Sequence, residues 1–440
     1  MTSNTELAAL FKQHIEIITQ RYQTAMENHG FDHLVIPAGS LHSVFLDDMS
    51  YPFKSNFHFN SFVPLDEIHD SALILAADGS RTLCYYQPVD FWHVVAKDPE
   101  GFWVDSFDIH MIRNKDEVRA HLPNTGNVAF IGEMTAPYHD EDFDAINPGN
   151  LIHEINWYRA TKTDYEVECI AQANQRAALG HIAAKEMFYK GGSELEIHLA
   201  YLLATGHAES QLPYNNIIGL NEHAAILHYF HYDTQAPQQH RSFLIDAGAR
   251  VNCYASDITR TYAFEQNEFA EMTGDMDAAQ QKLCAKVQDG NSYIDLHIQH
   301  HHFVADILHK YKICSMQPES MVETGVTGTF FPHGLGHHIG LQVHDPGGHQ
   351  ANIEGDTNPP PAPHGFLRNT RPMQSGQVLT IEPGIYFIGS LLGDLKASEH
   401  SSSINWARVA EFMPFGGIRI EDEVVVTDDG HRNLTRPFLD

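Results

Sequence analysis

Apolar residues recur at helical spacing from the start of the chain. Leu7, Leu10, Phe11, Ile15, Ile18, Tyr22 and Met26 predict an amphipathic helix over about 5–28. Short apolar runs follow at 33–37, 72–77, 82–86 and 128–132, separated by helical or looped segments. This alternation predicts a small α/β domain ending near residue 150, where Pro148-Gly-Asn150 reads as a turn. Two capping boxes, Thr163-Asp-Tyr-Glu166 and Ser193-Glu-Leu-Glu196, then open helices reaching about Tyr189 and His207. Tyr214 to Tyr232 reads as strand and loop. Phe243 to Tyr262 reads as two apolar strands joined by a turn at Gly248 to Arg250, and helices are predicted over about 275–288 and 291–311. From Phe330 the chain becomes strand-rich and glycine-rich, with loop insertions at Pro359–Pro363 and Ser390–Ser403.

Composition narrows the class. A chain of 440 residues exceeds one typical core, so two domains are expected, divided as 1–155 and 156–440. No apolar run approaches the roughly 18 residues of a membrane helix. The N-terminus lacks the basic and apolar regions of a signal peptide, so a cytoplasmic protein is expected. The five cysteines form no CxxC pair and read as reduced, buried thiols rather than a disulfide frame or a cysteine-zinc site. A net charge of −30 disfavours nucleic acid and anionic membranes as partners. With 31 histidines, each one needs its own argument.

The acids placed in apolar surroundings carry the chemistry. Asp246 and Asp257 each interrupt a hydrophobic run, and a buried carboxylate is costly unless it is paired or binds a metal. Glu382 stands before Pro383 in Thr380-Ile-Glu-Pro-Gly-Ile-Tyr386, and Glu421 lies two residues beyond Arg419 in Gly416-Gly-Ile-Arg-Ile-Glu-Asp-Glu-Val-Val-Val426. In Pro332-His-Gly-Leu-Gly-His-His-Ile-Gly340 the glycines argue against a helix. Neighbours in an extended segment face opposite ways, so one of His337 and His338 faces the acids. Leu341-Gln-Val-His344 reads as a further strand. Taken singly, each acid reads as a salt-bridge partner. Jointly that reading fails, because few basic residues lie near them in sequence, and Arg260 and Arg419 are the only obvious candidates to neutralise the charge. Oxygen and nitrogen ligands without sulfur suit Mn2+, Fe2+, Co2+ or Zn2+ in a catalytic site. Phe45-Leu-Asp-Asp-Met-Ser-Tyr-Pro-Phe53 and Pro88-Val-Asp-Phe-Trp-His93 place acids among aromatics, and on their own read as surface loop or core packing.

The series Ile-Asp246-Ala-Gly, Ser-Asp257-Ile-Thr-Arg-Thr, His-Gly-Leu-Gly-His337, Ile-Glu382-Pro-Gly and Arg-Ile-Glu421-Asp resembles the metallopeptidases of the pita-bread fold. That group includes methionine aminopeptidase, aminopeptidase P and prolidase. The resemblance spans the chain. The Phe-Leu-Asp-Asp-Met, Pro-Val-Asp-Phe-Trp-His, Tyr-Arg-Ala-Thr-Lys-Thr and Leu-Leu-Gly-Asp-Leu segments are similar to bacterial prolidases, and most of all to organophosphorus acid anhydrolases of marine bacteria. It implies an α/β (α+β) protein: a small N-terminal α/β domain, then a pita-bread domain whose curved antiparallel sheet carries two metal ions, usually Mn2+. Asp246 would hold one ion and His337 with Glu382 the other, while Asp257 and Glu421 bridge them. Asp48, Tyr214, Leu227, His228, Tyr293, His333, Val343, His344, Leu367 and Arg419 match pocket positions, and Glu382, His228 and His344 take catalytic roles. The implied substrates are dipeptides ending in proline, with organophosphorus triesters and fluorophosphates as side substrates. A homodimer or dimer of dimers is implied, its N-terminal domain reaching the neighbour's pocket. The alternatives are an aminopeptidase P acting on longer peptides and an inactive peptide-binding relative.

Overall fold

The computed structural model describes residues 4–439. The chain divides into two compact units. The first runs to Cys169 and takes in Asn252–Tyr254 and Asn352–Asp356; the second holds Ile170–Val251, Ala255–Ala351 and the described residues from Thr357 onward. Among the described residues no helix is long and apolar enough to cross a membrane.

In the first unit, helix α1 (Asn4–His29) buries Leu7, Phe11, Ile15, Ile18, Tyr22 and Met26, the stripe expected from the periodicity. Strands β1 (His33–Pro37), β2 (Ala72–Ala76), β3 (Arg81–Tyr86), β4 (Asp108–Ile112), β5 (Val128–Phe130) and β6 (Ala145–Ile146) form one sheet in the order β4-β3-β2-β1-β5-β6. The β1–β2 and β2–β3 pairs are antiparallel, whereas β3–β4, β1–β5 and β5–β6 are parallel. The outermost strands escape a reading based on apolar runs, since β4 buries only Ile112. Helix α2 (Phe57–Asn60) is a single turn. Pro148-Gly-Asn150 does not make a free turn, because Pro148 caps helix α3 (Gly149–Arg159). Phe45, Leu46, Met49, Val89, Phe91 and Trp92 are exposed, so the two acid–aromatic segments are surface loops rather than core.

Helix α4 (Asp164–Tyr189) starts on the predicted capping box, with the Thr163 N–H donating to Glu166 Oε2 at 2.8 Å. Helix α5 (Glu194–Thr205) starts on the second, and Gly206 ends it in the left-handed conformation.

The second unit is antiparallel where it is extended. Strands β7 (Ile217–Leu220), β8 (Ser242–Asp246), β9 (Arg250–Val251), β10 (Tyr254–Ala255) and β11 (Thr259–Ala263) correct the simple hairpin. β8 and β11 do pair, with Thr259 opposite Asp246, but β9 and β10 form a small hairpin between them. The turn lies at Asn252 and Cys253, both with positive φ, and not at Gly248 to Arg250. Gly248 serves a different need: a Cβ there would stand 1.9 Å from the Ser256 carbonyl oxygen. Asp246 ends β8, and Asp257 precedes β11 instead of lying within it.

Helix α6 (Glu268–Cys284) begins seven residues before its predicted start, capped by the Asn267 side chain, and helix α7 (Tyr293–Lys310) follows. The short helices α8 (Pro318–Glu323) and α9 (Val326–Phe330) come next. Residues 331–377 contain no strand, so the predicted strand at 341–344 is a bend. Strands β12 (Val378–Ile381) and β13 (Gly384–Tyr386) flank Glu382, which lies in neither. The predicted loop at 390–403 is instead helix α10 (Gly389–Ala397) and a 3₁₀ turn. Leu392 and Leu395, three apart on the helix, are buried. Helix α11 (Trp406–Phe412) leads to β14 (Gly417–Arg419), β15 (Asp422–Thr427), β16 (Gly430–Asn433) and helix α12 (Arg436–Leu439). β15 pairs with β12 and β16, β13 pairs with β14, and a bridge from Thr259 to Glu421 links the two halves.

Candidate active site

Backbone pairing gathers the five predicted ligands. Thr259 is opposite Asp246 on one side and bridges Glu421 on the other, which sets these acids across one ladder. The segment around His337 is stitched to the β12 edge: Thr380 N–H donates to the His337 carbonyl at 2.9 Å, and Glu382 N–H donates to Leu335 at 2.8 Å. This approach requires Gly336, where a Cβ would stand 2.3 Å from the Thr380 carbonyl oxygen and 2.5 Å from the Tyr293 hydroxyl. His337 and Glu382 therefore lie side by side.

Donor atoms of Asp257, His337 and Glu421 all fall within 4.8 Å of one another. His337 Nε2 is 3.5 Å from Asp257 Oδ2 and 3.8 Å from Glu382 Oε1. The His337 Nδ1 bonds the His338 carbonyl at 2.9 Å, so Nε2 is the nitrogen presented to the acids. Of the adjacent histidines, His337 is the one facing the carboxylates. Tyr214 donates to Asp246 Oδ1 and Asp257 Oδ1 at 2.8 and 2.5 Å. The Thr259 hydroxyl donates to Glu421 Oε2 at 2.7 Å.

The electrostatics of this cluster call for added positive charge. Burial, with Asp257 nearby, raises the Asp246 carboxyl to about 6. Burial raises Glu382 to about 7 and holds Glu421 well above the usual carboxylate range. Burial would also raise Asp257, but the bond and charge of His337, together with the Tyr214 hydroxyl and His344, jointly outweigh that and hold it low. Arg419 supplies one compensating charge, 2.7 Å from Asp246. Arg260, the other cation expected to neutralise these acids, instead pairs with Asp422 at 2.7 Å. Four clustered carboxyls against one guanidinium and one imidazole fit the divalent cations that such oxygen and nitrogen donors bind.

The pocket positions divide. His333 bonds the Tyr386 hydroxyl at 2.8 Å and lies 3.8 Å from Glu382 Oε2, and burial lowers its imidazole to about 3. The His344 ring stands edge-on to His337 at 4.4 Å between centroids, with Val343 beside it in the same bend. Tyr293 is buried and gives its hydroxyl proton to the Thr380 carbonyl at 2.7 Å. Leu367 is buried, Leu227 is half-buried, and His228 is exposed and stacked on Phe230. Asp48 sits on an exposed loop of the first unit.

Two residues went unnoticed in the sequence. Tyr386 joins His333 to Arg419, accepting from its Nη1 at 3.0 Å, and Thr259 joins Arg419 Nε to Glu421. Their signal was alternation: Tyr386 shares parity with Glu382, and Thr259 with Asp257.

Residues 9–157 match the family model of the Xaa-Pro dipeptidase N-terminal domain, and residues 168–428 match metallopeptidase family M24. The chain is 48% identical over 434 residues to an Xaa-Pro dipeptidase of Pseudoalteromonas translucida (strain TAC 125), covering 98% of each chain. It is 45% identical over 436 residues to that of Pseudoalteromonas haloplanktis, covering 99% of each. Among solved structures, aminopeptidase P from E. coli with the inhibitor Pro-Leu superposes with a TM-score of 0.74 at 21% identity, covering 97% of this chain and 95% of that one. That likeness supports the mixed α/β architecture with a C-terminal pita-bread domain. The chain belongs to metallopeptidase family M24, in its Xaa-Pro dipeptidase branch.

Proposed function

We propose that the protein is a cytoplasmic Xaa-Pro dipeptidase whose five-residue cluster holds two divalent ions, most suitably Mn2+. The observation that carries this reading is the convergence of Asp257, His337 and Glu421 within 4.8 Å, with Asp246 and Glu382 beside them. Asp246 would hold one ion and His337 with Glu382 the other, and Asp257 and Glu421 would be shared between them. Bound there, the ions would polarise the scissile carbonyl and acidify a water. Glu382 accepts the proton of the attacking water and passes it to the leaving proline nitrogen. His228 donates to the developing oxyanion. Arg419, with His344, binds the terminal carboxylate, which restricts substrates to dipeptides.

The remaining assignments belong to the same reading. Tyr214, Leu227, Tyr293, His333, Val343 and Leu367 line the pocket. Residues 1–155 form a dimerisation domain and 156–440 the catalytic one, and the exposed apolar loops around Phe45 and Trp92 suit burial in a homodimer or dimer of dimers, with Asp48 reaching the neighbour's pocket. A phosphotriester is tetrahedral like the amide intermediate, so P–F and P–O cleavage is expected as a side activity.

The test is hydrolysis of Leu-Pro, Leu-Pro-Gly and a fluorophosphate, side by side with Mn2+. Leu-Pro cleaved far faster than Leu-Pro-Gly is expected. Equal rates would make the enzyme an aminopeptidase P, and no metal-dependent cleavage would leave a binding protein.

A further inference from the structure

A second group of metal-ligating side chains lies outside the carboxylate cluster. His297 and His301 stand one turn apart on the buried face of α7. The 3₁₀ turn Ala362–His364 brings His364 against them. Ring centroids lie 4.8 Å apart for His297–His301, 4.5 Å for His297–His364 and 4.8 Å for His301–His364. One nitrogen from each falls within 4.8 Å of the other two. None of the three residues is assigned above to the proposed reaction.

The Nε2 atoms of His297 and His301 are 3.3 Å apart. Two imidazoles on one tetrahedral Zn2+, with Zn–N bonds of about 2.0–2.1 Å, place their nitrogens about 3.3–3.4 Å apart. A hydrogen bond between the two rings also gives that separation. It leaves unexplained the third imidazole, half-buried beside them and making no side-chain hydrogen bond among the described residues. His301 Nδ1 is engaged by the Thr327 hydroxyl at 2.9 Å, which turns Nε2 toward the group as in a ligand oriented from behind. Burial, helped by mutual repulsion, lowers His297 to about 2 and His301 to about 4, and burial lowers His364. All three are neutral near pH 7, the form that binds metals.

The geometry points to a second metal site at His297, His301 and His364 that takes one Zn2+ per chain and ties the 362–367 loop to α7. An all-imidazole donor set favours Zn2+ over Mn2+, Mg2+ or Ca2+, which prefer the oxygen donors that dominate the carboxylate-rich cluster. Three protein ligands leave the fourth position to water. The tie bears on the pocket. Leu367 N–H bonds the His364 carbonyl at 2.9 Å, and the Leu367 Cα lies 2.9 Å from where a Cβ on Gly334 would stand. Occupancy therefore fixes the loop packed against the His333–Leu335 segment.

The test is metal analysis after dialysis of the Mn2+-saturated protein against Zn2+. His364→Ala is the main variant, because it leaves α7 intact, and His301→Gln is the second. Wild type should retain one more Zn2+ per chain than either variant; equal retention overturns the site. Chymotryptic cleavage after the exposed Phe366 should slow about tenfold with Zn2+ in wild type and not in His364→Ala, as expected when a local opening is suppressed. Equal cleavage with and without Zn2+ in wild type overturns the tie.

Discussion

Arg419 sets its Nη2 2.7 Å from Asp246 Oδ2, pairing the buried guanidinium of the cluster with one of its half-buried acids. Its Nε and Nη1 bond Thr259 and Tyr386 at 3.2 and 3.0 Å. A guanidinium has five N–H donors, so two remain for a substrate carboxylate. Arg419→Ala should lower kcat/KM for Gly-Pro by roughly 100-fold or more, since a charge-assisted bidentate contact is lost. A phosphotriester has no carboxylate and should lose far less. Equal losses on both would reduce Arg419 to a partner of Asp246.

Asp257→Asn keeps the shape of the side chain and removes its charge. In the proposed site that charge is shared by both ions, and it is the carboxylate that His337 helps to hold low. Activity should fall by more than the ~100-fold typical of losing a group that merely supports a ligand. Bound Mn2+ should drop while far-UV circular dichroism stays unchanged. Retention of most activity in Mn2+ would refute the bridging role.

Tyr214→Phe removes the hydroxyl that bonds both Asp246 and Asp257. A group that orients two ligands at once should cost about 10–100-fold in Mn2+ affinity. Activity measured against free Mn2+ should show a shifted midpoint and a nearly unchanged plateau. An unshifted midpoint would assign Tyr214 to the substrate alone.

Much of the candidate site was legible because an acid inside an apolar run is an anomaly, as Asp246, Asp257 and Glu382 are, whereas Glu421, followed by Asp422 and Glu423, stood out by its place two residues beyond Arg419. Their supporting residues Tyr386 and Thr259 carried only the weak signal of shared parity, since the partners they join lie across strand register, which sequence does not display. Arg260 looked like a neutralising charge by proximity, yet it turns to Asp422. The turn at Asn252-Cys253 was missed because Cys253 is no turn former, whereas Gly248 is glycine to let the Ser256 carbonyl approach. Helix α10 was hidden by Gly389, Ser390 and Gly393, which outweighed Leu392 and Leu395.

The pH response of the fold can be tested at a buried histidine outside the five-residue ligand set. His181 is fully buried on α4, bonds the Ala247 carbonyl at 2.9 Å, and burial lowers it to about 3. Unfolding restores its ordinary value of 6.5, so between these limits the unfolded chain binds one more proton than the folded one. Its contribution is full above about pH 6.5 and is lost as pH falls toward 3, with a slope of at most ~1.4 kcal/mol per pH unit. His181→Gln has no titrating group and keeps an amide donor for Ala247. Urea unfolding of both proteins at a series of pH values should show the wild type losing stability faster on acidification, the gap closing by about one proton's slope. Parallel stability curves would mean that His181 does not stay neutral in the folded protein.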